Sequence, residues 1–295
     1  MLLAELVTTC TELFQEGRYT AARAACDRAL AGDLSPEERC KVLQLKSRAI
    51  MAEDKRWKGP AMGCLVEALE LTAPNTVLRG QVLAAFTAGH ASIHSLGLCK
   101  QARDEFAQVL TATGAPELAR LFPDVEFNLA LTFHELERLD DAETAYMKAL
   151  DEASRMKDDP YVAALIPMIQ LNLVDIFLRL DREEHAAALL HKCGQSLPDD
   201  QFGAHIRNQR AVHALVTGDL VSAVLWVESG LGHRSCDTKT RAALVLTKAR
   251  IAEAHGQMDE AHDYAQDALR LAAIACSSRL CYRASLFMNQ LSRGV

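Results

Sequence analysis

Chemistry in this chain would have to come from its ten histidines, its nine cysteines and a few amides and charges set in apolar runs. His90 and His94 stand at i and i+4, the spacing that places two imidazoles on one helix face for a metal. Cys99 follows, but no third protein ligand of suitable spacing does. His134-Glu135 begins like the HExxH zinc motif and fails at Arg138, where the second histidine is required. His185 and His191 are six apart and do not share a helix face. The chain has no GxGxxG, no GxxxxGK[ST] and no GxSxG. Its cysteines (Cys10, Cys26, Cys40, Cys64, Cys99, Cys193, Cys236, Cys276 and Cys281) are odd in number and contain no CxxC pair. Several fall on apolar helix faces, so they are expected to be small core side chains in a reducing cytoplasm. Neither metal, cofactor nor catalysis is expected. What remains is recognition by amides, because one side-chain amide offers both a donor and an acceptor and so matches a peptide unit whatever its side chain.

The elements that must position such groups are helical. In Phe127–Leu150, Leu129, Phe133 and Leu136 share one face of a 3.6-residue period, and Leu139, Ala142, Ala145, Tyr146 and Ala149 share another. Glu137–Asp140 is a short polar turn, which predicts an antiparallel helical hairpin. The unit recurs. Fourteen-residue blocks begin at Gly17, Arg56, Gly97, Glu137, Asp181, Gly218 and Gly256, with spacings of 39, 41, 40, 44, 37 and 38 residues. The sixth position of every block is alanine: Ala22, Ala61, Ala102, Ala142, Ala186, Ala223 and Ala261. Seven residues before each anchor stand Cys10, Ala49, His90, Ala130, Val174, Ala211 and Ala249, mostly small. Four anchors are glycine, suited to ending a helix with positive φ. Ser35, Pro36 and Glu38 have the form of a helix start. Pro123 and Pro167 are expected to open or kink the first helices of the fourth and fifth repeats, and Gly59-Pro60 to delay the second helix of the second.

This pattern resembles the tetratricopeptide repeat family over residues 2–273, with a period of about 40 residues. The carriers are the small residue on the first helix, the turn glycine, the alanine five later and the small residue near the end of the second helix. Arg56-Trp57 and His90 depart from it. The long period is similar to that in kinesin light chains and in peptide-sensing regulators of Gram-positive bacteria. The resemblance implies an all-α fold: a right-handed α-solenoid of about seven helical hairpins plus a C-terminal capping helix. The expected single domain runs over 1–295, with repeats at about 2–32, 36–71, 76–112, 117–156, 161–194, 200–232 and 237–273, and a cap at 277–292.

It further implies that first helices line a concave groove binding a peptide or a segment of another protein. Positions nine and six before each anchor would face it. Asn128 and Asn172 then occupy equivalent places in successive repeats, where asparagine in this family often binds a peptide backbone. Asp175, Asn208, Gln209 and Arg250 extend the set through repeats five to seven, with Lys46 on the far side. The full set of cations that holds a C-terminal carboxylate in some members is not recognisable. Trp226 and Tyr264 are expected to pack between units.

Composition agrees. Net charge is −7 with no basic tract, which disfavours nucleic acid and acidic membrane surfaces. Apolar residues make up 49% of the chain, no segment is read as long enough to span a membrane, and MLLAEL lacks the basic start of a signal peptide. That apolar end is compatible with a homodimer. The expected function is a cytoplasmic, non-catalytic binding scaffold. The competing reading is the peptide-sensing part of a bacterial transcriptional regulator whose helix-turn-helix domain is absent from this chain, since the first repeat starts near Leu2: a stand-alone sensor or a fragment. An enzyme with an unrecognised site is the third alternative.

Overall fold

Small side chains at two registers set the helix pairing. A computed structural model describes residues 3–53, 58–92 and 95–293, and every regular element in them is helical. In chain order the helices are α1 (Leu3–Gln15), α2 (Tyr19–Leu30), α3 (Pro36–Glu53), α4 (Lys58–Glu70), α5 (Val77–Ser92) and α6 (Leu96–Thr113). They continue with α7 (Pro116–Ala119), α8 (Phe122–Glu135), α9 (Leu139–Arg155), α10 (Pro160–Arg179) and α11 (Glu183–Ser196). The last are α12 (Asp199–Val216), α13 (Leu220–Leu231), α14 (Thr238–Ala254), α15 (Met258–Ile274) and α16 (Ser278–Arg293). The fold is an all-α helical-repeat solenoid, as the resemblance implies.

All seven block alanines are at most 3% exposed. Cys10, Ala49, Ala130, Val174, Ala211 and Ala249, seven before their anchors, are all 0% exposed. A larger side chain at either register would hold two backbones apart, so the repeat of small residues is a packing requirement. Both Arg56-Trp57 and His94 lie outside the described residues, as does the His90 side chain.

The turns explain the anchors. Gly17, Gly218 and Gly256 have φ of +71°, +80° and +75°. Arg18, Asp219 and Gln257, next in the chain, each donate a backbone N–H to the carbonyl five residues back at 2.8–2.9 Å, the bond of a Schellman stop. Glu137 and Asp181 adopt the same left-handed conformation without being glycine, with φ of +60° and +55°. Gly97 does not; it lies in the first turn of α6. Ser35 and Glu38 form the expected capping box: Glu38 N–H donates to Ser35 Oγ at 3.3 Å, and Ser35 N–H to Glu38 Oε2 at 3.0 Å. That contact holds the Glu38 carboxyl below its usual range. Pro60 sits in the first turn of α4, where a missing N–H costs little, so the helix is not delayed. Pro123 is the second residue of α8 and so opens it, with α7 a separate short turn before it. Pro167 lies inside α10, which continues through it.

The chain divides into two compact units, residues 1–134 with 151–162, and residues 135–150 with 163–295. Unit one packs α5, α6 and α8 side chains around Leu83, Phe106, Leu118 and Val125. In unit two α16 closes the end of the α14–α15 hairpin through Ala284, Phe287 and Leu291, which meet Leu246, Ala249, Ala265 and Ala268. One expectation fails: α10 is 20 residues long with mean hydropathy 1.8, enough by length and composition to cross a membrane. Half of that apolar window is buried in the protein, and Asp175 within it is 6% exposed and ion-paired.

Candidate functional site

Asp175 stands in the run LVDIFL of α10 and cannot be left there alone, since a buried carboxylate needs a cation. The cation comes from 104 residues further on. Arg279 Nη1 lies 3.2 Å from Asp175 Oδ2, and Arg283 Nη1 lies 3.8 Å from Oδ1. These arginines are one turn apart on α16, beside the apolar stripe that docks that helix. Glu135 completes the cluster: Lys239 Nζ is 3.2 Å from its Oε1, and Arg279 Nε is 3.7 Å from the same atom. Glu137, at the left-handed turn, binds Arg179 of α10 with both carboxylate oxygens. The cluster raises the Arg279 guanidinium despite its burial, because Asp175 and Glu135 face it. Tyr146 is fully enclosed beside it, and burial pushes its phenol well up.

Helix α12 brings a neutral layer against these charges. Asn208 Oδ1 accepts from Thr247 Oγ1 of α14 at 3.0 Å. Gln209 Nε2 is 3.4 Å from His205 Nε2, while its own Oε1 is buried with no partner among the described residues. Burial pushes His205 down to about 4; Asp175 opposes this, and Arg279 and Lys239 reinforce it. A histidine whose folded pKa lies below its unfolded one adds stability above pH 6.5 that is lost as pH falls toward 4. At about 1.4 kcal/mol per pKa unit the His205 contribution is on the order of 3–4 kcal/mol. Urea melts at pH 7 and pH 4.5 should therefore differ less in His205→Gln than in the wild type; equal differences would remove His205 as the cause.

Beside the cluster, and wholly within unit two, is a pocket of about 310 Å³. Its floor is apolar, from Leu178, Val212, Leu246 and Phe287, and Arg179, Arg250 and Arg283 reach into it. Arg250 has no ion pair or hydrogen bond among the described residues, and burial lowers its guanidinium although Glu253 and Asp175 pull the other way.

The residues named from sequence fare unequally. Asp175, Asn208, Gln209 and Arg250 come together in unit two. Asn172, on α10, is half-buried, and its Nδ2 donates only to Met168 O of its own helix at 2.9 Å. Asn128 lies in unit one, 7% exposed, with Nδ2 buried and unpartnered among the described residues. Lys46, also in unit one, is tied to Asp27 at 2.7 Å, which raises its pKa. The register nine before the anchors is largely enclosed: Ser47, Asn128, Gln209 and Thr247 are all 7% exposed or less. Tyr264 and Trp226 are partly buried, each ring under a cation, Lys248 at 5.0 Å and Arg210 at 4.8 Å. Sequence reasoning missed Glu135, His205, Arg279 and Arg283. The i,i+4 arginine pair in a helix with a strong apolar stripe, set against a lone aspartate in an apolar run, was the available signal. Among the described residues no group of three His, Cys, Asp or Glu is arranged to hold a metal, and all nine cysteines are free thiols, six of them buried.

No family model matches the sequence, and comparison with curated proteins finds no match. Likeness appears in the fold. A chain of the APC/C hetero-tetramer Cut9–Hcn1 matches 97% of this chain at TM-score 0.58 and 16% identity, over 55% of its own length. The present chain thus spans about half the length of that neighbour. A Rap protein complexed with competence and sporulation factor matches 99% of this chain and 98% of its own, at TM-score 0.53 and 12% identity. Both are helical-repeat proteins of the tetratricopeptide type.

Proposed function

We propose that this chain, a solenoid of the tetratricopeptide-repeat type, is a non-catalytic scaffold that holds an extended segment of a partner protein or a peptide against its first helices. One observation carries the reading. In unit two, polar side chains on first helices keep hydrogen-bonding capacity that the fold does not engage. Asn172 bonds only within its own helix and Arg250 has no ion pair among the described residues. Unengaged polar groups cost stability, and a ligand that engages them recovers it. The two structural neighbours were themselves solved in complexes, Cut9 with Hcn1 and the Rap protein with competence and sporulation factor, which is consistent with this use of the fold. Asn128, at the equivalent register in unit one, is retained by position alone, since its Nδ2 is buried. Lys46 is set aside because Asp27 already holds it. Free thiols throughout fit a reducing cytoplasm.

The test is a peptide-display screen with co-purification, followed by titration of the selected binder. Asn172→Ala should weaken that binder by roughly fivefold, the equivalent of one hydrogen bond worth about 1 kcal/mol. Its melting temperature should stay at the wild-type value, since no tertiary contact is removed. Unchanged affinity would reject this face as the binding surface.

A further inference from the structure

Arg250 is the group the fold leaves least explained. It reaches from α14 into the pocket bounded by α10, α12, α14 and α16, partly buried and without an ion pair among the described residues. Across the pocket, Arg283 is engaged among the described residues only at 3.8 Å, by an Asp175 it shares with Arg279. Arg179, the third, is bound by Glu137. Among the described residues the carboxylates lining the pocket are Glu137 and the exposed Asp181, and neither Arg250 nor Arg283 pairs with Asp181; Glu253 and Asp175 act on Arg250 without an ion pair. Three guanidinium groups thus face one small volume over an apolar floor. Burial lowers the Arg283 guanidinium most; Asp175 pulls it back up, and Arg279, Arg179 and Arg250 push it further down.

We propose that this pocket is the subsite for the carboxylate of an aspartate or glutamate side chain in the bound segment, with Arg250 its main partner and Arg283 the second. The proposal rests on the reading of the chain as a peptide-binding scaffold and names the chemistry of one contact. An anion there supplies the missing partner of Arg250 and relieves the repulsion among the arginines. A guanidinium presents a planar fork that matches the two oxygens of a carboxylate, and the apolar floor strengthens the contact by excluding water. The volume of about 310 Å³ lies at the low end for ligand sites, which suits one side chain better than a cofactor. Exposed Tyr282 and Leu286 at the mouth offer apolar surface to the neighbouring residues of the segment. The attraction is local, since the whole chain carries a net charge of −7.

The experiment uses the full chain and a positional library of acetylated, amidated octapeptides, read by fluorescence anisotropy. At one position Asp or Glu should be preferred over Asn or Gln by roughly tenfold or more. That preference should vanish in Arg250→Gln, whose thermal melt is at or above the wild type because an unpaired buried charge has been removed. A binder without acidic preference, or a preference that survives Arg250→Gln, overturns the proposal and leaves the scaffold reading standing. Phosphoserine outcompeting Asp, or selection only for a free C-terminal carboxylate, overturns the side-chain assignment. If no peptide binds, the scaffold reading fails, and acetate decides the subsite alone. A saturable rise in melting temperature over chloride of equal ionic strength, absent in Arg250→Gln, supports the anion pocket; no rise overturns it.

Discussion

Asp175→Asn is expected to lower the unfolding free energy by roughly 3–5 kcal/mol, the cost of removing one partner from a buried ion pair. Asp175 is 6% exposed and is the shared anion of Arg279, at 3.2 Å, and Arg283, at 3.8 Å. Asparagine keeps the shape and an acceptor oxygen but loses the charge. Two guanidiniums would then face each other with the more distant Glu135 and Glu137 to compensate. The loss should appear as a fall in the urea midpoint with the slope preserved. It should also loosen α16, raising amide exchange between Ser278 and Arg293. Adding Arg279→Met should restore part of the stability, because an apolar replacement of a buried pair is often neutral or better. A loss below 1 kcal/mol in the single variant would mean that water reaches the cluster.

In unit one, Phe106→Ala should cost a comparable roughly 3–5 kcal/mol by a different route, cavity formation. Phe106 is 0% exposed and lies parallel to Phe122, with ring centroids 6.1 Å apart and an interplanar angle of 3°. Leu83, Ala102, Val109, Leu118 and Val125 complete its surroundings on α5, α6, α7 and α8. These side chains sit on helices whose backbones are held by their neighbours and cannot shift far enough to refill the space of a phenyl ring. Calorimetry should show the loss, and exchange should rise first in α5 to α8, since repeat arrays respond mainly through nearest neighbours. Phe106→Leu should recover about half or more of it, because most of the buried apolar volume returns. Equal losses in both variants would point to backbone rearrangement.

Much of the candidate site was visible along the chain because it follows helix register. Asn172, Asp175, Gln209 and Arg250 sit at calculable places before their anchors. What register does not reveal is engagement. Lys46 looked available and is held by Asp27, while Asn208 looked available and accepts from Thr247. Equally hidden was the role of α16. Its apolar stripe announces a cap, but that the cap also delivers Arg279 and Arg283 to Asp175 depends on where the last helix comes to rest.

By itself, then, the sequence determined the hairpins. Small residues at two registers and left-handed turn residues act within about one repeat length, where helix period and turn geometry are local properties of the chain. Glu137 and Asp181 show that even this local rule admits residues other than glycine once the turn is held by its neighbours. Only the tertiary structure decided which charges meet. Arg279 and Asp175, and likewise Lys239 and Glu135, are 104 residues apart. Pairing across such a distance follows from the stacking of every intervening helix, since charges combine by position in space and carry no periodic mark in the chain.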